Sequence, residues 1–190
     1  MYQGYLRYLR GIPLLGGLVD CGVRDHWDAM SQTFVVLTLS TTPIWLATIL
    51  LYAMRENVGY TVLKSAFHST IANGELFMYC TALLAPMFWI ALDDPPGAGA
   101  FPSKKSHMFL IGIIDLIASG FFALGISGRH LNPDVTFKFS TYMFYFSLIL
   151  LYLGTVYHIN RMPDGAEVFK KQEAAFSISV KKHRQGKREQ

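Results

Sequence analysis

Four stretches of this chain leave little choice of environment. Phe34 to Met54 reads FVVLTLSTTPIWLATILLYAM and Leu76 to Leu92 reads LFMYCTALLAPMFWIAL, neither with a charge. Met108 to Ile126 carries only Asp115. Tyr142 to Tyr157, YMFYFSLILLYLGTVY, carries none and extends outward past Lys138 to Phe137. A helix rising 1.5 Å per residue needs roughly 20 such residues to cross about 30 Å of hydrocarbon, so each run is read as a span. The whole chain leans the same way: 52% of its 190 residues are hydrophobic and 16% charged, against about 25% charged in ordinary soluble domains. Barrel strands would alternate apolar and polar positions, whereas these runs are apolar on every face, which excludes a barrel. The expected architecture is an all-α membrane protein with three parts. An amphipathic, interfacial segment covers 1–32 and a four-helix transmembrane domain covers 33–159, with spans at about 33–54, 71–92, 108–126 and 137–157. A basic tail covers 160–190.

Lys and Arg set the expected orientation. With the N-terminus inside, 13 of the 17 basic residues fall on the cytoplasmic side, and only Arg55, Lys64, Arg129 and Lys138 fall outside. Both termini are therefore expected in the cytoplasm. Tyr2, Tyr5, Leu6 and Leu9 stand at helical spacing around Arg7 and Arg10, a pattern for a short helix lying in the interface or a cap packed on the bundle. The run IPLLGGLV is too short and glycine-rich for a signal core, and Asp20 before Cys21 spoils a lipoprotein cleavage box.

Few residues offer chemistry. Cys21 and Cys80 fall in different environments and predict no disulfide. There is no CxxC, no metal-spaced Cys/His cluster, no glycine-rich phosphate loop and no nucleophile with a base, so neither an enzyme nor a bound cofactor is expected. A haem held by two histidines would need imidazoles at one depth; His68 with His130, or His107 with His158, are the pairs available, each at a membrane surface.

Two acids remain within the spans. Asp115 lies about 10 Å in from the inner face, where a charge faces protein or water rather than lipid. Gly112, Asp115 and Ser119 share one face at spacings of three and four, and the two small residues let another helix approach the acid. Glu75 lies about one turn below the outer surface. With Asn73 and Gly74 before it, the residue reads as a helix start favoured by the positive end of the helix dipole, or as part of a pore mouth or subunit interface. Pro43 and Pro86 predict bends in their spans.

The tail offers a docking segment. Phe169, Lys170, Lys171 and Phe176 lie on a short helical pattern, and Phe176, Ile178 and Val180 then alternate with serines ahead of Lys181 and Lys182. The basic end KKHRQGKREQ suits anionic lipid headgroups, or a protein or nucleic-acid contact.

The run Asn73-Gly-Glu-Leu-Phe-Met-Tyr-Cys-Thr-Ala-Leu-Leu-Ala-Pro-Met-Phe-Trp opens the second of four spans, and its core is Gly74-Glu75-Leu76-Phe77. With the span layout and basic tail, it resembles the KwaA family, the membrane subunits of the Kiwa anti-phage defence system. Four-span accessory proteins of other defence systems, including RNA-targeting CRISPR loci, are similar at this level. The resemblance implies a non-enzymatic homo-oligomer of the bacterial inner membrane, a tetramer, that senses infection or membrane disturbance. It also implies a cytoplasmic, KwaB-like partner recruited through the tail, with nucleic acid reached only through that partner. Two alternatives stand beside it: a small channel or proton-coupled transporter built around Asp115, and a haem or quinone membrane subunit.

Overall fold

The computed structural model describes residues 12, 14–55, 58–72, 74–95, 97–127, 132–163 and 176. Among these the chain is all-helical: a 3-10 turn at Gly16–Asp20, then α1 (Val23–Ala53), α2 (Tyr60–Ile71), α3 (Glu75–Leu92), α4 (Lys104–Ile126) and α5 (Pro133–Arg161). Helices α1, α3, α4 and α5 are long and apolar enough to cross a membrane. Helix α1 begins at Val23, so residues 23–32 are continuous with the first span, and the Tyr2 to Arg10 segment lies outside the described residues.

Helix boundaries follow local chemistry. Asp25 accepts from the Gly22 backbone N–H at 2.8 Å, satisfying a donor at the start of α1. Asn132 caps α5 by accepting from the N–H groups of Asp134 and Val135, with Pro133 preset for the first turn. Between α2 and α3 the chain turns at Gly74, whose φ of +91° suits glycine alone. An added Cβ there would also press on Phe77 and Thr136 at 3.1 Å. The glycine of the Gly-Glu-Leu-Phe motif is thus a sterically required joint, and Glu75 is the first residue of α3.

Helices α3 and α5 run side by side in the same direction and form the centre, with α4 packed on α3 and α1 on α5. The end that gathers the starts of α1 and α4 and the ends of α3 and α5 is called basal here, the opposite end distal. Leu83, Leu84, Met87, Ile111, Ile114, Leu150 and Leu151 fill the interior. In lipid the apolar effect does not drive helices together, so this contact relies on close packing. Gly154 provides the closest approach, since the space of its missing side chain holds the thioether of Met87.

The spans are not coextensive. His26 Nδ1 lies 2.8 Å from the Tyr152 hydroxyl, which registers α1 against α5. Ile44, in the middle of the apolar run of α1, clusters with Ile71, Leu76 and Tyr79, and Phe137 packs on them. The middle of the first run therefore meets the distal ends of the second and fourth. The other half, Trp45 to Met54, stands beyond them with α2 folded back against it. The rings of Trp45 and Phe67 meet at a tilt with centroids 5.4 Å apart, Thr48 bonds Thr70 at 3.3 Å, and the Gly59 N–H donates to the Tyr52 hydroxyl.

Candidate functional site

Asp115 sits on α4 at the seam with α3. Its neighbours Ile114 and Ala118 are buried, Ala118 clustering with Phe77 and Cys80, and the acid is close enough to Cys80 to act on it electrostatically. The residue is half-buried, yet its Oδ1 is fully enclosed and makes no hydrogen bond. Gly112 and Ser119 lie on the outward surface of α4 with Gly120, and an added Cβ at Gly112 or Gly120 meets nothing. The structure thus places Gly112, Asp115 and Ser119 on one flank whose edge is acidic. Glu75 is elsewhere: the ring of Phe77 stacks on Phe121 at 5.3 Å, so the start of α3 is level with the distal part of α4, at least a turn and a half from Asp115.

A second polar cluster, at the basal end, escapes a reading by motif. Arg161 closes α5 with only 6% of its surface exposed. Its Nη2 donates to the carbonyls of Ile90 at 2.8 Å and Asp93 at 2.7 Å, groups that the end of α3 leaves without helical partners. Its guanidinium lies 5.3 Å over the ring of Phe101. Nη1 stands 3.6 Å from Asp94, an ion-pair distance too long for a hydrogen bond. Lys104 Nζ donates to the same carboxylate at 2.7 Å and reaches the Leu92 carbonyl at 3.4 Å. The Lys104 hydrogen bond, with the charges of Lys104 and Arg161, holds the Asp94 carboxyl below the usual carboxylate range.

Around this latch the rings of Phe101, His107 and Tyr157 meet nearly perpendicular, with centroids 5.2 to 6.0 Å apart. His107 bonds the Ser103 carbonyl through Nδ1, and its Nε2 is buried without a partner. The Tyr157 hydroxyl donates to the Leu14 carbonyl, which ties the described N-terminal turn to α5. His158 contacts Arg161, His68 packs at a tilt against Phe137 with centroids 4.8 Å apart, and His130 lies outside the described residues. Among the described residues no group of three or more His, Cys, Asp or Glu is placed to hold a metal ion.

Both cysteines are free, Cys80 buried and Cys21 half-buried with its thiol donating to the Gly17 carbonyl at 3.3 Å. Burial, reinforced by Asp25 and Asp20, pushes the Cys21 thiol up to about 11 from 9.0. The thiolate is the nucleophile, so at pH 8 Cys21 is expected to react with a maleimide about 100-fold more slowly than an unperturbed cysteine. Its rate should keep rising tenfold per pH unit past pH 9, where a free thiol levels off. Stopped-flow labelling across pH 7 to 10 checks this, and levelling near pH 9 would contradict it.

Of the tail residues expected to dock a partner, Phe169, Lys170, Lys171, Ile178, Val180, Lys181 and Lys182 lie outside the described residues, and Phe176 is exposed. A cavity of about 390 Å³ between α1, α2, α3 and α5 is walled by Phe34, Leu37, Ile44, Trp45, Phe67 and Phe144. Its threonines Thr38 and Thr41 bond carbonyls of their own helix, which leaves it without acid, base or nucleophile. Comparison of the chain with protein families, with curated proteins and with solved structures gives no match.

Proposed function

We propose that this chain is a non-enzymatic, self-assembling inner-membrane protein of bacterial anti-phage defence, of the Kiwa membrane-subunit kind. Both of its termini face the cytoplasm. It senses infection or disturbance of the membrane and recruits a cytoplasmic partner through the tail from 164 to 190. The observation that carries the reading is the filled interior: Leu83, Leu84, Met87, Ile111 and Leu150 are each 1% exposed or less, and the basal end is latched by Arg161 and the Phe101, His107 and Tyr157 rings. Among the described residues the space between these helices is filled by apolar side chains, and Ser31, Gln32 and Ser119 are exposed on the outer flanks of the spans.

Purification of the full chain from its native host in detergent, followed by native mass spectrometry beside a chain ending at Pro163, tests this. A homo-oligomer that holds one defined soluble partner only when the tail is present is the expected result. A monomer, or an oligomer with no partner in either form, overturns it.

Asp115 favours a second reading. A buried carboxylate oxygen without a hydrogen bond is costly, and copies gathered around an axis would concentrate these acids at a proton-sensitive path between subunits. Constitutive ion flux in liposomes that Asp115→Asn abolishes would select this reading; no flux would reject it.

A further inference from the structure

The register of α1 leaves polar side chains at a depth where the other helices are apolar. From the contact of His26 with Tyr152, α1 runs antiparallel to α5, so Asp28 comes level with Leu150 and Gln32 with Phe146, in the middle of the fourth apolar run. Ser31 and Gln32 are exposed there, and Arg24 and Asp28, 3.9 Å apart, present side chains 92% and 49% exposed. Arg24, Asp28, Ser31 and Val35 form one outward stripe at helical spacing. Charged and amide groups at such depth face protein or water rather than acyl chains.

The opposite flank supplies the complement at the same level. Phe121 of α4 packs on Phe139 of α5 at 5.0 Å, and Asp115 is six residues nearer the basal end, level with Tyr145 and so within one residue of Gln32. By the same count Gly112 comes level with Leu148, within one residue of Ser31. Helices α1 and α4 run in the same direction, α1 chiefly on α5 and α4 chiefly on α3, at the two sides of the central pair. A surface on one side that matches a different surface on the other makes a head-to-tail contact, which forms a ring where its rotation closes.

We infer that the α1 flank of one copy packs on the α4 flank of the next. Ser31 and Gln32 then supply hydrogen-bond donors beside Asp115, and Gly112 and Ser119 let the helix close in. This rests on the self-assembling reading above and names its contact.

The test is disulfide cross-linking of the full-length chain in native membranes, with Ser31→Cys and Gly112→Cys made singly and together. Both positions are exposed, and Gly112 has room for the new side chain. A ladder of linked copies from the double variant, absent from either single variant, is expected. Ser31→Cys linking to itself would place α1 against α1 and overturn the head-to-tail contact. No linkage while native mass spectrometry of the unaltered chain still shows an oligomer would overturn this contact and leave self-assembly standing; a monomer would overturn both. Ser119→Leu serves as a second variant, expected to dissociate the ring with the melting of the single copy unchanged. A ring that persists counts against the contact.

Discussion

Arg161→Ala is expected to lower the melting temperature of the detergent-solubilised protein by about 6–12 °C, equivalent to about 3 kcal/mol for a chain of this size. The reasoning starts from the carbonyls that Arg161 serves rather than from its charge. Ile90 and Asp93 offer the last carbonyls of α3, and both receive Nη2 of Arg161 at under 3 Å. A buried carbonyl stripped of its donor costs about 1–3 kcal/mol, and these two, on part-buried bonds to one buried guanidinium, together reach about the upper end of that range. The ion pair with Asp94 contributes little by comparison, because that carboxylate is exposed and keeps its Lys104 partner. Two further variants separate the parts. Arg161→Met keeps an apolar stem over Phe101 yet supplies no donor, and should lose nearly as much as alanine. Arg161→Lys brings a single ammonium in place of a planar fork and should recover only a part. Proteolysis would report the same event locally, since the loop from Asp93 to Ser103 is held by Gly99 donating to the Arg161 carbonyl and by the packing of Phe101. Arg161→Met as stable as the native chain would show that the capping bonds are dispensable.

What the residues announced and what they withheld divide along a physical line. Apolar run length is a local property, and four helices long and apolar enough for a membrane form where the runs lie. Depth is not local. Read singly, each run centres itself in the bilayer, yet tertiary packing slides α1 until Ile44 joins the cluster of Ile71, Leu76 and Tyr79 on which Phe137 packs, leaving Gln32 near the middle of the others. No count within the first run could have revealed the offset. Helix α2 was hidden for a related reason: Lys64 and His68 interrupt its hydropathy, although Ala66 and Ile71 are buried within it.

The candidate site shows the same division. Gly112, Asp115 and Ser119 could be placed on one face by spacing alone, and α4 keeps them there. Arg161 is one of 17 basic residues, and in the sequence it reads only as a charge at the end of a span. Its work depends on Ile90 and Asp93, some seventy positions earlier, brought to it by the parallel packing of α3 and α5. His107 is similar: a histidine at a helix end suggests an interface, but the ring is fully buried between Phe101 and Tyr157.

That parallel packing makes the second large prediction. Gly154→Leu is expected to cost about 3 kcal/mol, because the space its side chain needs already holds Sδ and Cε of Met87, a residue with no exposed surface. A thioether is the most adaptable of core groups, so Gly154→Ala should cost much less, the methionine turning aside by one rotamer. Leucine leaves it nowhere to turn, and α5 must then back away from α3. Separation would act along the helix pair, loosening Gly74 against Thr136 at one end and the Arg161 bonds to Ile90 and Asp93 at the other. The control is Met87→Ala. Alone it opens a cavity at a cost of about 2–5 kcal/mol, but combined with Gly154→Leu it should recover at least half of the sum, since one change vacates what the other fills. Equilibrium unfolding of the four members of this cycle gives the coupling directly. Costs that simply add would mean that Gly154 and Met87 do not share a space, and that the central pair is held at its distance by something other than the absence of a side chain.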